Sequence, residues 1–219
     1  MTPTFQAVLF DLDGTLADTA PDLAAALNRM RRDRGMEALP WASLRPMASH
    51  GARGLIQIGF ALGPDHADYQ SLRDEFLRNY AHDICVHTRL FPGVEWVLRQ
   101  LVDRAIPWGI VTNKVATLTQ QLLACMLLPF PPGCVVSGDT TAKPKPAPDP
   151  LLHASALLGV PAHRCLYVGD DVRDIQAAHA AGMGAVAAAY GYCGHQEPHH
   201  WGAQFILEEP TQLLQLGVI

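Results

Sequence analysis

Ala7-Val8-Leu9-Phe10-Asp11-Leu12-Asp13-Gly14-Thr15 sets four apolar residues directly before an acidic, glycine-containing turn. A short continuous apolar run with no polar alternation fits a strand covered on both faces, as in a parallel sheet. Asp and Gly at its end fit the turn that releases the chain from the sheet.

The same arrangement recurs downstream. Trp108-Gly109-Ile110-Val111 runs into Thr112-Asn113-Lys114, and Cys165-Leu166-Tyr167-Val168 runs into Gly169-Asp170-Asp171. Cys134-Val135-Val136 leads to Ser137-Gly138-Asp139, and Gly184-Ala185-Val186-Ala187-Ala188 leads to Ala189-Tyr190-Gly191-Tyr192. Helical spacing fills the intervals: Val94, Val97, Leu98 and Leu101 within Val94 to Arg104, then Leu151 to Leu158 and Asp174 to Ala181. Alternating strands and helices predict an α/β fold with an open parallel sheet of Rossmann-like type. Ligands of such sheets bind beyond the carboxyl ends of the strands. The polar clusters that follow the five strands are therefore expected to face one crevice.

Residues from Asp18 to about Ile84 read differently, as helices with no convincing strand. Pro21 through Arg34 predicts one helix, with Pro21 in its first turn, Leu23, Leu27 and Met30 as its apolar stripe and Gly35 as its stop. Gly51 to Leu62 and Tyr69 to Ala81 predict two more. The expectation is a small all-helical cap, residues 18–85, inserted after the first strand of a catalytic core made of residues 1–17 and 86–219. Pro129 to Pro132 and Pro144 to Pro150 are expected to be loops.

Composition narrows the function classes. Of 219 residues, 49% are hydrophobic and 17% charged, enough apolar material for a core. A net charge of -5 disfavours a nucleic-acid partner, although a bound metal ion would still let an acidic protein take a phosphate. Cys85, Cys125, Cys134, Cys165 and Cys193 are scattered, with no CxxC pair, and are expected to be reduced thiols. His195, His199 and His200 cluster near the C-terminus but lack the spacing of a known metal site, so a solvated loop is expected. No basic leader opens the chain, and no apolar run approaches the roughly 18 to 20 residues of a membrane span. A cytoplasmic protein without a membrane partner is the expectation.

The chemistry concentrates at the strand ends. With Asp11 and Asp13 two residues apart, one carboxylate can attack phosphorus while the other, free to move in the turn, handles a proton. Thr112 can donate its hydroxyl to a phosphoryl oxygen, with Asn113 in support, although such a pair also fits a helix cap. Lys145, in Lys143-Pro144-Lys145-Pro146, can offset charge on the nucleophile and on the transferring group. Asp11, Asp170 and the carbonyl of Asp13 make the partial oxygen shell that Mg²⁺ prefers. A cation is needed: two like unit charges about 4 Å apart repel by roughly 4 kcal/mol at an effective dielectric near 20.

In order and spacing, these residues resemble the four signature motifs of the haloacid dehalogenase superfamily of phosphatases. Asp11 and Asp13 match the first motif, Thr112 the second, Lys145 the third, and Asp170 with Asp174 behind it the fourth. The resemblance implies that Asp11 forms an aspartyl-phosphate and that Asp13 protonates the leaving oxygen and then activates water. It also implies that Thr112 and Lys145 hold the phosphoryl group, while Asp11, Asp13 and Asp170 hold Mg²⁺. Asp174 is expected to support this shell or pair with Lys145, and Lys145 fits the motif better than Lys143. Asp171 stands where many relatives carry Ser or Thr.

Within the superfamily, the chain is similar to the phosphoglycolate phosphatase group and, more closely, to N-acetylmuramic acid 6-phosphate phosphatases of peptidoglycan sugar recycling. The stretches that carry this include Ser49-His50-Gly51-Ala52-Arg53, His87-Thr88-Arg89-Leu90-Phe91-Pro92-Gly93 and Gly169-Asp170-Asp171-Val172-Arg173-Asp174-Ile175. His50 departs from the small residue expected there. Arg53 is the candidate for a substrate carboxylate, with a solvated helix arginine as the alternative. A small phosphorylated metabolite is the implied partner, and the chain is expected to be a monomer or homodimer. Phosphoglycolate hydrolysis, phosphomutase, dehalogenase and a catalytically silent binding module stay open as other readings, the last two disfavoured by the complete set of motif residues.

Overall fold

The computed structural model describes residues 5–194, 197–217 and 219. In chain order the elements are β1 (Ala7–Phe10), β2 (Ala17–Asp18), α1 (Ala20–Asp33), α2 (Trp41–Leu44), α3 (Gly51–Phe60) and α4 (Tyr69–His82). Then come β3 (Arg89–Leu90), α5 (Val94–Asp103), β4 (Trp108–Val111), α6 (Ala116–Met126), β5 (Cys134–Val136) and α7 (Asp149–Leu158). The chain ends with β6 (Cys165–Gly169), α8 (Val172–Ala181), β7 (Gly184–Ala188) and β8 (Phe205–Leu207), joined in places by short 3-10 turns.

Six strands form one parallel sheet in the order β5-β4-β1-β6-β7-β8. β1 is central, with Leu9 opposite Gly109 on one side and Tyr167 on the other. The chain works outward from β1 to β4 and β5, then crosses to β6, so the sheet reverses direction beside β1. A ligand crevice belongs at that reversal. Alternate residues of the apolar runs serve opposite faces. Val8 and Phe10 join one core cluster, which also takes in α1, α3, α4 and α5, while Ala7 and Leu9 join a second with α7 and α8. The strands are thus apolar throughout because both of their faces are covered.

Residues 19–85 hold α1 to α4, and α1, α3 and α4 pack on one another. The chain leaves and re-enters the sheet through an antiparallel ribbon pairing Ala17 with Leu90 and Asp18 with Arg89. That ribbon touches the segment expected to lack strands, Asp18 to about Ile84, only at its first residue; two-residue strands carry no periodicity to read. β8, α2 and α6 were not foreseen either. α8 starts at Val172, two residues before the expected Asp174, because Asp171 caps it in a reciprocal capping box with Asp174. α7 starts at Asp149, so Pro150 lies in a first helical turn and not in a loop. The five cysteines are free thiols, as expected. His199 and His200 are exposed in a 3-10 turn, and His195 lies outside the described residues. Among the described residues, no helix is long and apolar enough to cross a membrane.

Asp22 ties the helical segment to the returning chain. Its buried carboxylate accepts from the His87 amide at 3.0 and 3.1 Å, the Thr88 amide at 2.8 Å and the Thr88 hydroxyl at 2.7 Å. Asp22→Ala leaves the buried Thr88 amide and hydroxyl without an acceptor and is expected to cost about 3 kcal/mol, read as a lower urea midpoint at unchanged slope.

Candidate active site

Asp11 is the first residue past β1, and its amide continues the ladder to the carbonyl of Val168 at 2.9 Å. Thr112 stands at the end of β4 with its amide on Val136 O at 2.9 Å, and Asp170 follows β6. The parallel register of β4, β1 and β6 therefore brings three distant stretches to one edge, as the sequence predicts. Lys145 arrives from a loop, held by both ends of the Asn113 amide: Asn113 Nδ2 donates to Lys145 O at 2.9 Å, and Lys145 N donates to Asn113 Oδ1 at 3.0 Å. Asn113, expected to support the phosphoryl group, here positions the lysine backbone. Lys143 is exposed.

The Lys145 side chain is almost wholly buried. Nζ lies 2.9 Å from Asp11 Oδ1 and 2.7 Å from Asp174 Oδ1, and donates to Val111 O at 3.0 Å and Tyr167 Oη at 2.7 Å. Burial works against the ammonium, but Asp11 and Asp174 outweigh it and hold its pKa above the usual lysine range. Asp174 supports the site from behind, since its Oδ2 accepts from the Asp171 amide at 3.0 Å. Burial lifts Asp11 to about 7, with Lys145 opposing and Asp174 and Asp13 adding to the rise. Asp170 is raised well above the carboxylate range, first by burial and then by Asp11 and Asp174. Thr15 Oγ1, Ser49 Oγ and the Tyr192 amide donate to Asp170, at 3.3, 3.3 and 2.9 Å.

Burial comes first for both Asp11 and Asp170, and neighbouring carboxylates add to each rise. Asp11, Asp170 and Asp174 bring carboxylate oxygens within 4.8 Å of one another, faced by the ammonium of Lys145. Such a donor set suits a hard divalent cation. Lys145 lies 2.7 Å from Asp174 and 2.9 Å from Asp11, and Asp174 also holds the Asp171 amide, so Asp11 and Asp170 are the candidate side-chain ligands. The Asp13 carboxylate is not part of this cluster: Oδ1 accepts from the Thr19 hydroxyl and lies 3.1 Å from Lys114 Nζ. The loose Asp13 side chain expected from the sequence is in fact held. Backbone approach at this edge requires glycine. A Cβ on Gly14, which has a φ of +84°, would lie 2.1 Å from Asp170 Oδ2, and one on Gly191 would lie 2.3 Å from Asp170 Cβ.

A cavity of about 290 Å³ opens from these groups toward the helical segment. Asp11, Asp13, Thr112, Asn113, Lys145 and Asp170 line it from the sheet side of the chain, and Arg53, Tyr69, Arg73, Phe76 and Leu77 line it from α3 and α4. Arg53 is exposed on α3 and also borders the cavity. Three further residues were not foreseen as site residues. Lys114 bridges Asp13 and Tyr80, Ser49 reaches Asp170, and Arg173 grips Asp171 at 2.7 and 2.9 Å while donating to Ser49 O at 2.6 Å. Burial opposes ionisation of Asp171, but the Arg173 guanidinium more than offsets it and holds the carboxyl below its ordinary range. The only signal for these residues was their place inside stretches already read for other reasons.

Residues 8–188 match the haloacid dehalogenase-like hydrolase family. The chain is 45% identical over 209 residues to a phosphoglycolate phosphatase of Xanthomonas campestris pv. campestris, covering 95% of this chain and 94% of that one. It is 36% identical over 209 residues to an N-acetylmuramic acid 6-phosphate phosphatase of Pseudomonas putida, with the same 95% and 94% coverage. A crystal structure described as a predicted phosphoglycolate phosphatase from Haemophilus somnus superposes with a TM-score of 0.86 at 25% identity, over 98% of this chain and 99% of that one.

Proposed function

This chain belongs to the haloacid dehalogenase-like hydrolase family and is a phosphoric monoester hydrolase, and on that premise we propose that it removes the phosphate of N-acetylmuramic acid 6-phosphate with Mg²⁺ as cofactor. The reaction would serve peptidoglycan sugar recycling in the cytoplasm. The observation that carries the substrate is the reach of the cavity, from Asp11 and Lys145 to an aromatic and cationic wall of Tyr69, Phe76, Arg53 and Arg73. An amino-sugar ring offers apolar surface to the aromatic side chains, and its lactyl carboxylate suits a guanidinium. Phosphoglycolate is the second reading, favoured by the 45% identity to a relative of that name. Its two-carbon acid would use less of the cavity.

In this reading Asp11 attacks phosphorus and carries the phosphoryl group as an aspartyl-phosphate. Asp13 gives a proton to the leaving oxygen, then takes one from the water that hydrolyses the ester. Lys145 and the Thr112 hydroxyl hold phosphoryl oxygens, and Asn113 keeps Lys145 in place. Asp11, Asp170 and the Asp13 carbonyl would hold Mg²⁺, which would supply positive charge to offset the repulsion between a phosphate dianion and a carboxylate. Residues 18–85 act as a cap domain over a catalytic core of 1–17 and 86–219, with β2 and β3 as the joint.

Rates measured side by side on N-acetylmuramic acid 6-phosphate, phosphoglycolate and hexose phosphates test the assignment. The amino-sugar phosphate is expected to have the highest kcat/KM, with EDTA abolishing turnover and added Mg²⁺ restoring it. Preference for phosphoglycolate would overturn the substrate, and turnover in EDTA would overturn the metal.

A further inference from the structure

One buried ammonium of the cavity has no part in the reaction as described. Lys114 follows Thr112 and Asn113 at the end of β4, and its side chain is only 7% exposed. Nζ lies 3.1 Å from Asp13 Oδ1, donates to Tyr80 Oη at 3.1 Å and sits 4.5 Å from the centroid of the Tyr80 ring. Tyr80 is buried on α4, stacked on Phe76, and so belongs to the helical segment and not to the sheet. The Thr19 hydroxyl donates to the same oxygen, Asp13 Oδ1. Both of these contacts to the Asp13 carboxylate fall on Oδ1.

We infer that Lys114 is a positioning residue for Asp13, and that Tyr80 makes this hold depend on where the helical segment sits. Two donors on Oδ1 fix the plane of the carboxylate and leave Oδ2 toward the cavity as the oxygen that carries the proton. General acid–base efficiency depends on that aim, because the proton must pass over a hydrogen-bond distance. The Lys114–Tyr80 contact joins the strand end that carries the phosphoryl-binding Thr112 to a helix of the segment that covers it. When α4 is in place, Lys114 is packed against the Tyr80 ring and directed at Asp13. A lysine with only a packing role would need no carboxylate at 3.1 Å, and one that only bound substrate would be free to swing from Asp13.

The inference rests on the phosphatase reading of Asp11 and Asp13. In the first step an Asp11 oxygen bonds to phosphorus, the bond from phosphorus to the leaving oxygen breaks, and Asp13 Oδ2 gives that oxygen its proton. In the second, water oxygen bonds to phosphorus, the Asp11–phosphorus bond breaks with its electron pair returning to the Asp11 carboxylate, and the water proton goes to Asp13 Oδ2. The products are the alcohol and inorganic phosphate. p-Nitrophenyl phosphate separates the two steps, since p-nitrophenolate leaves without a proton whereas hydrolysis of the aspartyl-phosphate still needs the base.

Stopped-flow mixing of p-nitrophenyl phosphate with the Mg²⁺-loaded protein is the experiment. Lys114→Met is expected to release about one equivalent of p-nitrophenol per site in a fast phase, since the intermediate then accumulates. The steady rate that follows is expected to be about 100-fold below that of the parent, the scale of a lost general base. Tyr80→Phe keeps the stacked ring and removes the hydroxyl, and is expected to slow the same phase by a smaller factor. Lys114→Arg, which keeps a cation, is expected to recover part of the steady rate. An unchanged steady rate overturns the inference. So does a raised KM at unchanged kcat, which would make Lys114 a substrate ligand, or a fast phase slowed in proportion to the steady one. Should Lys114→Met not fold, Tyr80→Phe decides by the same criteria. Absence of turnover by the parent protein would sink the phosphatase reading itself, whereas turnover by the parent with unaltered variants sinks this inference alone.

Discussion

Asp11→Asn is expected to abolish turnover, by about 10⁴-fold or more, while the protein melts at or above the temperature of the parent. The amide cannot form the aspartyl-phosphate, and no other carboxylate can replace it: Asp170 and Asp174 are buried beside it, and Asp174 is held by Lys145 and the Asp171 amide. The stability half of the result follows from the Asp11 pKa of about 7, lifted first by burial. A carboxyl whose folded pKa lies above its unfolded value of 3.8 favours the unfolded state increasingly as pH rises from about 4 to 7. Removing that charge at nearly constant volume relieves Asp170 and Asp174 and leaves Lys145 its partner Asp174. Activity assays with saturating Mg²⁺ and thermal melts at pH 8 in EDTA check the two halves. Retained turnover would end the nucleophile assignment, and a large drop in melting temperature would mean that the Asp11 carboxylate supports the fold.

Lys145→Ala is expected to lose both activity and stability. Its ammonium is the only side-chain cation within 4 Å of Asp11 and Asp174 among the described residues, and it also donates to Val111 O and Tyr167 Oη. Breaking a buried pair by removing one partner costs about 3 to 5 kcal/mol, because the other charge stays behind. Here Asp11 can take up a proton near neutral pH, so the low end applies. At about 3 kcal/mol the melting temperature should fall by roughly 6 to 12 °C for a chain of this size. Loss of a donor aimed at the transferring group should lower kcat by about 10³-fold. Melts of the metal-free protein and steady-state kinetics with saturating Mg²⁺ measure the two effects separately. A kcat close to that of the parent would remove Lys145 from the phosphoryl site.

The two variants differ because charge in this site is unevenly supplied. Asp11, Asp13, Asp170 and Asp174 stand against Lys114 and Lys145, and each lysine is committed to particular carboxylates. Asp11 and Asp170 have no ammonium to themselves, which is where a divalent cation fits. Asp171, by contrast, is satisfied by Arg173 and by the capping of α8.

The apolar runs that became β1, β4, β5, β6 and β7 were legible because hydrogen bonding along a buried parallel strand imposes a local pattern on sequence. The polar residue that ends each run was legible for the same reason, and this placed Asp11, Thr112 and Asp170 at one edge before any coordinates. Lys145 was legible through its motif, since nothing local distinguishes it from Lys143. What only the tertiary structure decided is which charge meets which. Lys114 reads as part of a strand-end turn until α4 brings Tyr80 over it and the register of β1 with β4 sets it beside Asp13. Asp174 reads as a support behind the shell or as a partner of Lys145 until the fold shows it doing both, accepting from the Asp171 amide and lying 2.7 Å from Lys145 Nζ. Ribbon β2–β3 and strand β8 are too short to print a period, and pair only because the chain returns to them. Local backbone preference acts over a few residues and is written in order along the chain, whereas electrostatic partnership depends on distances fixed by sheet register and helix packing.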